Sequence, residues 1–232
     1  MFLGGLQKHS LIDFPGKVSC VCFLSGCNFR CPFCHNPDLV TARDHRSGMS
    51  DLDFFSFLET RKGLLDGVVI SGGEPTLEKN LPAICERIKS MGFFVKLDTN
   101  GSRPHMIRSL MDKKLLDYVA MDIKTDPDGY AVLMNGNGSV EPVVESVRDI
   151  MVSGVEYEFR TTCVRPFVDP AVLGRMAMMI RNAKRYVLQP FRRARILAPE
   201  YFHDKQPGYN AGEMKELKAV AEPFVQECFI RG

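Results

Sequence analysis

Apolar segments with the length of strands alternate along the chain with segments of helical periodicity. The strand candidates cover residues 18–25, 66–71, 93–98, 117–124, 155–162 and 185–190. The helix candidates cover residues 51–62, 77–91, 104–114, 141–152, 169–182 and 212–228. Because strands that alternate with helices form parallel βα units, this pattern predicts an α/β fold. Six units are too few for a closed eight-unit barrel, so we expect a partial, TIM-like (α/β)6 barrel.

Residues that begin and end helices support these boundaries. Asp169 followed by Pro170 is typical of the start of a helix, and Gly92 is typical of the position just after one. Residues 125–140 and 196–211 are rich in turn-forming residues and are predicted to be loops.

The composition is that of a globular protein with a full apolar core. The chain has 232 residues, 45% of them apolar, and a formal net charge of +2. We expect a single domain over residues 1–232, with its core at about 15–190 and a C-terminal loop and helix at 191–232. A charge this small gives no case for binding to nucleic acid or a membrane. The start of the chain lacks the features of a signal peptide, so a cytoplasmic location is expected.

Several strands carry charged or polar side chains near their C-terminal ends. A strand buried between helices should be apolar on both faces. Here residues two positions apart, which share a face, are polar: Lys96 with Asp98, Asp122 with Lys124, and Glu156, Glu158, Arg160 and Thr162 in turn, with Gln189 closing the sixth strand. An antiparallel sheet with an exposed face would explain this pattern but conflicts with the βα order. We therefore expect a polar barrel interior that binds a charged ligand at the C-terminal ends of the strands.

Three cysteines occupy the loop that follows the first predicted strand. Cys27, Cys31 and Cys34 form a C-x3-C-x2-C pattern within residues 26–36. Three thiolates can hold three irons of a [4Fe–4S] cluster and leave the fourth iron open to a substrate. Zinc with His35 as fourth ligand is the alternative, but His35 adjoins Cys34 too closely for easy tetrahedral coordination by both.

The remaining cysteines lie scattered in apolar segments and are expected to be buried as small hydrophobic residues: Cys20, Cys22, Cys85, Cys163 and Cys228. This distribution is typical of a reducing compartment rather than of a disulfide-bonded protein.

A second motif ends the second predicted strand. Gly72 and Gly73 are followed by Glu74 and Pro75. Glycines allow a ligand to approach the backbone, and the carboxylate could accept hydrogen bonds from an ammonium group. Taken alone, the motif is equally compatible with an ordinary βα turn.

Together, the two motifs resemble those of the radical S-adenosylmethionine (SAM) superfamily. Residues 26–36 are similar to the cluster loop of enzymes that activate glycyl radical proteins, and residues 98–101 and 122–124 match their Asp-Thr-Asn-Gly and Asp-x-Lys motifs. Residues 5–17 resemble the branch of anaerobic ribonucleoside-triphosphate reductase activating proteins. The resemblance spans roughly residues 5–190.

The resemblance implies roles for individual residues. Cys27, Cys31 and Cys34 would ligate the cluster, and the amine and carboxylate of SAM would chelate the open iron. The residues expected to bind the cofactor are Phe33, Gly72, Gly73, Glu74, Asp98, Thr99, Asn100 and Gln189. The residues expected to face SAM or the incoming glycine are Lys124, Asp122 and Arg160. The alternative for these charged residues is a set of structural ion pairs.

Two further roles follow from the same resemblance. Asp98, Thr99 and Asp122 match positions that bind a monovalent cation beside SAM in one activase type. Asp13 matches a region near the peptide substrate.

The implied reaction begins with one electron from reduced flavodoxin or ferredoxin. The electron cleaves SAM, and the 5′-deoxyadenosyl radical takes a hydrogen atom from a glycine of the partner enzyme. Three alternatives stay open: an activase of another glycyl radical enzyme such as pyruvate formate-lyase, a radical SAM enzyme acting on a pterin-like or deazapurine molecule, and a non-enzymatic zinc or cluster-binding module.

Overall fold

The protein is described from a computed structural model, over residues 3–41, 49–134, 136, 138–192, 195–202 and 206–232. Within these residues, the strands form one sheet in which each strand lies beside its neighbours in sequence. The strands are β1 Leu3–Ser10, β2 Ser19–Leu24, β3 Gly67–Gly72, β4 Phe94–Thr99, β5 Tyr118–Asp122, β6 Glu156–Cys163, β7 Arg185–Pro190 and β8 Glu227–Ile230. β1 pairs with β2 in antiparallel fashion, and all later neighbours are parallel.

The α-helices connect these strands. They are α1 Pro37–Thr41, α2 Asp51–Glu59, α3 Leu81–Ser90, α4 Pro104–Asp112, α5 Tyr130–Leu133, α6 Glu141–Val152, α7 Pro170–Met179 and α8 Ala211–Ala221. At the start of α7, the Asp169 carboxylate accepts a hydrogen bond from the Val172 N–H at 2.8 Å, as its cap position requires. After α3, Gly92 has a φ of +92°, which suits glycine at the end of a helix. None of the helices within the described residues is long and apolar enough to span a membrane.

The predicted parallel α/β sheet is confirmed, and the six predicted strands correspond to β2–β7. The sheet has two further strands that were not predicted. β1 has two glycines and mostly exposed polar side chains, and β8 has four residues of which only Cys228 is buried. Neither segment therefore carries the alternation that marks a half-buried strand.

The helix predicted over 212–228 is wrong in its second half. α8 ends at Ala221, and a 3-10 turn over Glu222–Phe224 leads into β8. Pro223 lacks a backbone N–H and cannot continue an α-helical hydrogen-bond ladder, which accounts for this ending. The loops predicted over 125–140 and 196–211 also contain short elements: α5 with a 3-10 turn at Pro127–Gly129, and another turn at Pro199–Phe202. Asn135 and Asn137 lie outside the described residues.

The two faces of the sheet carry different side chains. The helix-covered face bears the main core, to which β3 contributes Val68 and Ile70. The opposite, inner face has a small apolar cluster of Phe14, Val21, Val69, Tyr118 and Ala120, with Phe23 packed against it. Charged side chains continue this inner face toward the C-terminal strand ends. The predicted polar barrel interior is therefore present.

Candidate functional site

A cavity of about 200 Å³ lies at the C-terminal ends of the parallel strands. Parallel strands direct the loops that follow them to one edge of the sheet, so distant segments meet at this cavity. It is lined by Cys27, Phe29, Cys31, Phe33, Cys34, His35, Asn36, Val40, Ser71, Gly72, Gly73, Asp98, Thr99, Asn100, Asp122, Lys124, Arg160 and Thr162. All three predicted metal ligands and all three predicted catalytic residues therefore share one cavity.

The cysteine loop is held in shape by backbone hydrogen bonds. The Cys34 N–H donates to the Cys31 carbonyl at 3.0 Å, and the Phe29 N–H donates to the Cys27 sulfur at 3.4 Å. The Arg30 N–H donates to the carbonyl of Leu133 at the end of α5 at 2.8 Å. These bonds fix the loop in a conformation in which all three cysteines line the cavity.

The segment 195–202 covers the cysteine loop from outside. The Leu197 N–H donates to the Cys34 carbonyl at 3.1 Å, and the Ala198 N–H donates to the Pro32 carbonyl at 3.0 Å. The sequence did not indicate this contact, because backbone groups of any residue type could make it.

Contacts between aromatic rings also hold residues of the cysteine loop against the segments that cover it. Phe33 packs on Phe167 with ring centroids 5.1 Å apart, and Tyr201 stacks on Phe167 at 5.4 Å. His35 stacks on Phe191 at 5.5 Å. Phe33 is thus fixed at the cavity wall by residues that follow β6 and β7.

Burial makes two of the loop thiols, those of Cys27 and Cys31, weak acids in the absence of a metal. It raises the pKa of Cys31 to about 12 and also raises the pKa of Cys27. Metal ligation requires thiolates, so cluster binding here must release protons. Within the described residues, no three His, Cys, Asp or Glu side chains are gathered closely enough for one metal ion.

The five other cysteines are buried, as predicted, and none of them lines the cavity: Cys20, Cys22, Cys85, Cys163 and Cys228.

Glu74 is buried and is not among the residues that line the cavity. Its side chain is 2% exposed and accepts the Thr99 hydroxyl at 2.7 Å, the Asn100 N–H at 2.7 Å and the Thr76 N–H at 3.1 Å, with a further contact to the Thr76 hydroxyl. Burial raises the pKa of Glu74, although these donors oppose the shift. Its carboxylate therefore joins the turns after β3 and β4.

Gly72 and Gly73 do line the cavity, and space requires glycine at both. A Cβ on Gly73 would lie 2.0 Å from the Gly26 carbonyl oxygen, and one on Gly72 would lie 2.2 Å from the Leu24 carbonyl oxygen. The backbone after β3 thus passes directly against the start of the cysteine loop.

Asn100 connects β4 to the cysteine loop. Its Nδ2 group donates to the side-chain oxygen Oδ1 of Asn28 at 3.1 Å and lies 3.9 Å from the Cys27 sulfur. Its own side-chain oxygen accepts the Ser102 N–H at 2.9 Å. The amide is therefore held with its donor side toward the predicted cluster.

A charged network forms the wall opposite the cysteines. Arg160 bridges two carboxylates, with NH1 3.1 Å from Asp98 Oδ2 and Nε 2.9 Å from Asp122 Oδ1. Lys124 lies 2.9 Å from Asp122 Oδ2, and Lys96, which is 1% exposed, contacts Asp98 Oδ1.

In this network, the attraction between opposite charges outweighs the loss of hydration that burial causes. Burial opposes ionisation of Asp98 and Asp122, but Arg160 with Lys96 or Lys124 outweighs it and holds the pKa of each carboxyl below its usual range. Burial likewise opposes the charges of Arg160 and Lys124, and the carboxylates, Asp122 foremost, keep both pKa values raised. All four groups are therefore ionised at neutral pH.

Gln189, the other predicted cofactor residue, lies outside this cavity and lines a second one of about 570 Å³. The second cavity shares His35, Arg160 and Thr162 with the first, so the two are adjacent. Its remaining lining comes from the β1–β2 connection, β6, β7 and the end of the chain: Leu11, Ile12, Asp13, Phe14, Pro15, Glu158, Pro190, Arg192, Arg231 and Gly232.

Comparison with known proteins is decisive for the family. The family model of the radical SAM superfamily matches residues 21–170, which include the cysteine loop and strands β3 to β6. The chain belongs to the radical SAM superfamily.

Relatives narrow this assignment. The radical SAM chain is 34% identical over 234 aligned residues to a Methanocaldococcus jannaschii protein provisionally named a glycyl-radical enzyme activating enzyme, covering 99% of this chain and 95% of that one. It is 29% identical to the pyruvate formate-lyase-activating enzyme of Clostridium pasteurianum, with 80% of each chain covered. The chain thus belongs with the glycyl-radical enzyme activating enzymes, and it is an enzyme of the radical SAM kind.

The fold agrees with this membership. SuiB of Streptococcus suis bound to S-adenosylmethionine superposes with a TM-score of 0.69 at 13% identity, over 91% of this chain and 52% of SuiB. The chain therefore spans about half the length of that structure, and the likeness concerns the fold alone.

Membership in the superfamily implies a [4Fe–4S] cluster and SAM as cofactors. The residues present fit both groups. Three cysteine thiols, and no fourth cysteine among the described residues, face one cavity. Backbone at Gly72 and Gly73 and ionised side chains on the opposite wall supply partners for the amine and carboxylate of an amino acid.

Proposed function

We propose that this enzyme generates a glycyl radical on a partner protein, and that the partner is an anaerobic ribonucleoside-triphosphate reductase. The observation that carries the protein-substrate part is the pair of adjacent cavities. The first holds the cysteines, and the second reaches the surface at Leu11 and Ile12, which are 76% and 80% exposed. A polypeptide segment has an apolar-edged route to Arg160 and Thr162, which belong to both cavities.

When bound, the cluster supplies the electron that cleaves SAM, and the resulting radical takes the glycine Cα hydrogen. The protein residues orient the reactants and exclude water. Cys27, Cys31 and Cys34 hold the cluster, while the backbone of Gly72 and Gly73 receives the methionine amine of SAM.

The remaining cavity residues complete this assignment. Asn100 and Thr99 hold the strand-end turn in place, Phe33 packs against the adenine, and Asp98 belongs to the wall that faces the cofactor. Lys124, Asp122 and Arg160 form the charged wall between SAM and the incoming glycine. Asp13 lies on the second cavity, consistent with a place beside the partner's segment.

The choice of reductase rests on residues 5–17, which resemble that branch of activating proteins. The electron donor we propose is reduced flavodoxin or ferredoxin, and the reaction takes place in the cytoplasm. The net charge of +2 gives no support to a nucleic acid or membrane partner.

The test is anaerobic incubation of the reconstituted enzyme with SAM, a reductant and one candidate partner at a time. A glycyl radical signal in electron paramagnetic resonance is expected on the ribonucleotide reductase, and none with Cys31→Ala. A signal only on pyruvate formate-lyase would mean that the lyase, and not the reductase, is the partner, and the proposed activity would stand. SAM cleavage that requires a small molecule and no protein would refute the activity itself.

A further inference from the structure

The carboxylates of Asp98 and Asp122 have every oxygen engaged by the protein itself. Asp98 Oδ1 contacts Lys96, and its Oδ2 accepts Arg160 at 3.1 Å and the Ser71 hydroxyl at 3.3 Å. Asp122 Oδ1 accepts Arg160 Nε at 2.9 Å, and its Oδ2 accepts Lys124 at 2.9 Å. Among the residues that the structure describes, Arg160 is the one side chain that touches both carboxylates.

This arrangement does not fit the monovalent cation that the resemblance implied at Asp98, Thr99 and Asp122. Alkali cations bind oxygen ligands, and here each carboxylate oxygen already faces a positive charge. Thr99 is also turned away, because its hydroxyl donates to Glu74 at 2.7 Å and accepts the Gly101 N–H at 3.1 Å.

The local charge gives a second reason. Two carboxylates face three cationic side chains, Lys96, Lys124 and Arg160, so the group carries one surplus positive charge. The five side chains of this network, the two carboxylates included, are between 1% and 27% exposed. A further cation among them would meet repulsion that water only partly screens, since charges interact more strongly at such depth than at the surface.

We propose that the Arg160 guanidinium takes the place of a monovalent cation, and that this enzyme binds SAM without one. The inference rests on SAM occupying the cavity lined by the cysteines. The surplus positive charge of the wall lies on that cavity through Lys124 and Arg160, where it complements the negative carboxylate of SAM.

The shape of arginine explains the choice of residue. Its planar fork presents Nε and NH1 in fixed directions, and these two atoms reach different carboxylates. A lysine ammonium is a single point of charge and would pair with one carboxylate, leaving an oxygen of the other without a cationic partner.

The test measures SAM binding to the cluster-loaded enzyme under anaerobic conditions in potassium, sodium or tetramethylammonium chloride at equal ionic strength. Tetramethylammonium is too bulky to be coordinated by carboxylates. We expect the three dissociation constants to agree within about twofold, well under the tenfold that corresponds to about 1.4 kcal/mol. Binding that weakens tenfold or more in tetramethylammonium would overturn the proposal.

The Arg160→Gln variant supplies the complementary result. It removes the positive charge that faces one oxygen of each carboxylate, so its SAM binding should be weak in tetramethylammonium and partly restored by potassium or sodium. Arg175→Gln, which removes a 52% exposed partner of Asp126, is the matched control and should show no cation dependence. Iron content and thermal unfolding establish that both variants are folded. If the glutamine variant does not fold, Arg160→Lys takes its place with the same expected restoration.

A folded Arg160 variant that potassium and sodium fail to restore would also contradict the proposal. Failure of the SAM assignment on which the inference rests gives a different result: the wild-type enzyme would then bind no SAM in any of the three salts. Failure of the glycyl-radical activity alone would leave these dissociation constants unchanged and would be seen only in the radical assay.

Discussion

Glu74 accepts the backbone N–H of Asn100 at 2.7 Å, which joins the turn after β3 to the turn after β4. The resemblance assigned this carboxylate to SAM. Gly72 and Gly73 line the cavity, whereas Glu74 is buried and bonded to the turn after β4, so its contact with SAM stays a prediction. The effect that the structure does show is on the two turns that border the cavity.

Glu74→Gln should therefore lower both stability and SAM affinity. The amide has one acceptor oxygen in place of two and brings its own N–H₂ group against buried donors. We expect a loss of about 1–3 kcal/mol in the free energy of unfolding. Urea denaturation of the apo protein measures it, with the exposed Glu86→Gln as control. Unchanged stability with weakened SAM binding would instead indicate direct contact between Glu74 and SAM.

Gly73→Ala should prevent cluster binding. The added Cβ would lie 2.0 Å from the Gly26 carbonyl oxygen and would push the cysteine loop away from β3. Gly174→Ala is the matched control, because its Cβ would meet nothing nearer than 3.8 Å. Since Gly174 lies within α7, that change should stabilise the protein by about 0.5–1 kcal/mol. Iron per protein after anaerobic reconstitution distinguishes the two, and a normal iron content in Gly73→Ala would contradict this account of the glycine.

Alanine at Cys27, Cys31 or Cys34 should abolish stable cluster binding, and alanine at the other five cysteines should not. Those five are buried and have no place in the cavity, so their replacement should cost about 1 kcal/mol of stability, the usual effect of a core substitution. Iron analysis and visible absorption of all eight variants give the answer. Equal iron loss in Cys85→Ala, despite retained folding, would refute the assignment of the ligands.

Stability should fall in acid partly because of Asp122. Its pKa is held below the usual value by Arg160 and Lys124 against the effect of burial. A lowered folded-state pKa contributes stability that is present above the unfolded-state pKa of about 3.9 and is lost as pH falls through the folded-state value. Between pH 7 and 5 the stability of the wild type and of Asp122→Asn should therefore differ by a constant amount.

Below about pH 4 the wild type should lose stability faster than Asp122→Asn. Urea denaturation of the apo proteins from pH 7 down to pH 3 tests this, and the exposed Asp112→Asn should follow the wild type throughout. If the free energy of unfolding changed with pH in the same way for wild type and Asp122→Asn over the whole range, the ion pairs of Asp122 with Arg160 and Lys124 would add nothing to folding.

The sequence was informative where chemistry depends on side-chain type and spacing. The cysteine triplet and the alternation of strands β2–β7 are of this kind. Contacts made by backbone atoms could not be predicted in this way. The backbone N–H groups of Leu197 and Ala198 donate to the cysteine loop, and residues of any type could do so.

Short segments were the other source of error. β8 has four residues, and its place beside β7 is supported by Arg231, which follows it and pairs with both oxygens of buried Glu158 at 2.9 Å. A partner so far along the chain cannot be inferred from local periodicity. The partners of Glu74 after β4, Thr99 and Asn100, are likewise 25 and 26 residues away and could not be inferred locally, while its predicted contact with SAM stays a prediction.

The cover over the cysteine loop has a consequence for how the protein is made. His35 and the Arg192 carbonyl that contacts its ring are 157 residues apart in the chain. At a synthesis rate of about 5–20 residues per second, roughly 8–30 s separate the two on the ribosome. Throughout that interval the nascent thiols lack the segment 195–202, whose backbone later covers the cysteine loop. The loop acquires its finished surroundings only near the end of translation, so a cluster protected from solvent belongs to the completed chain.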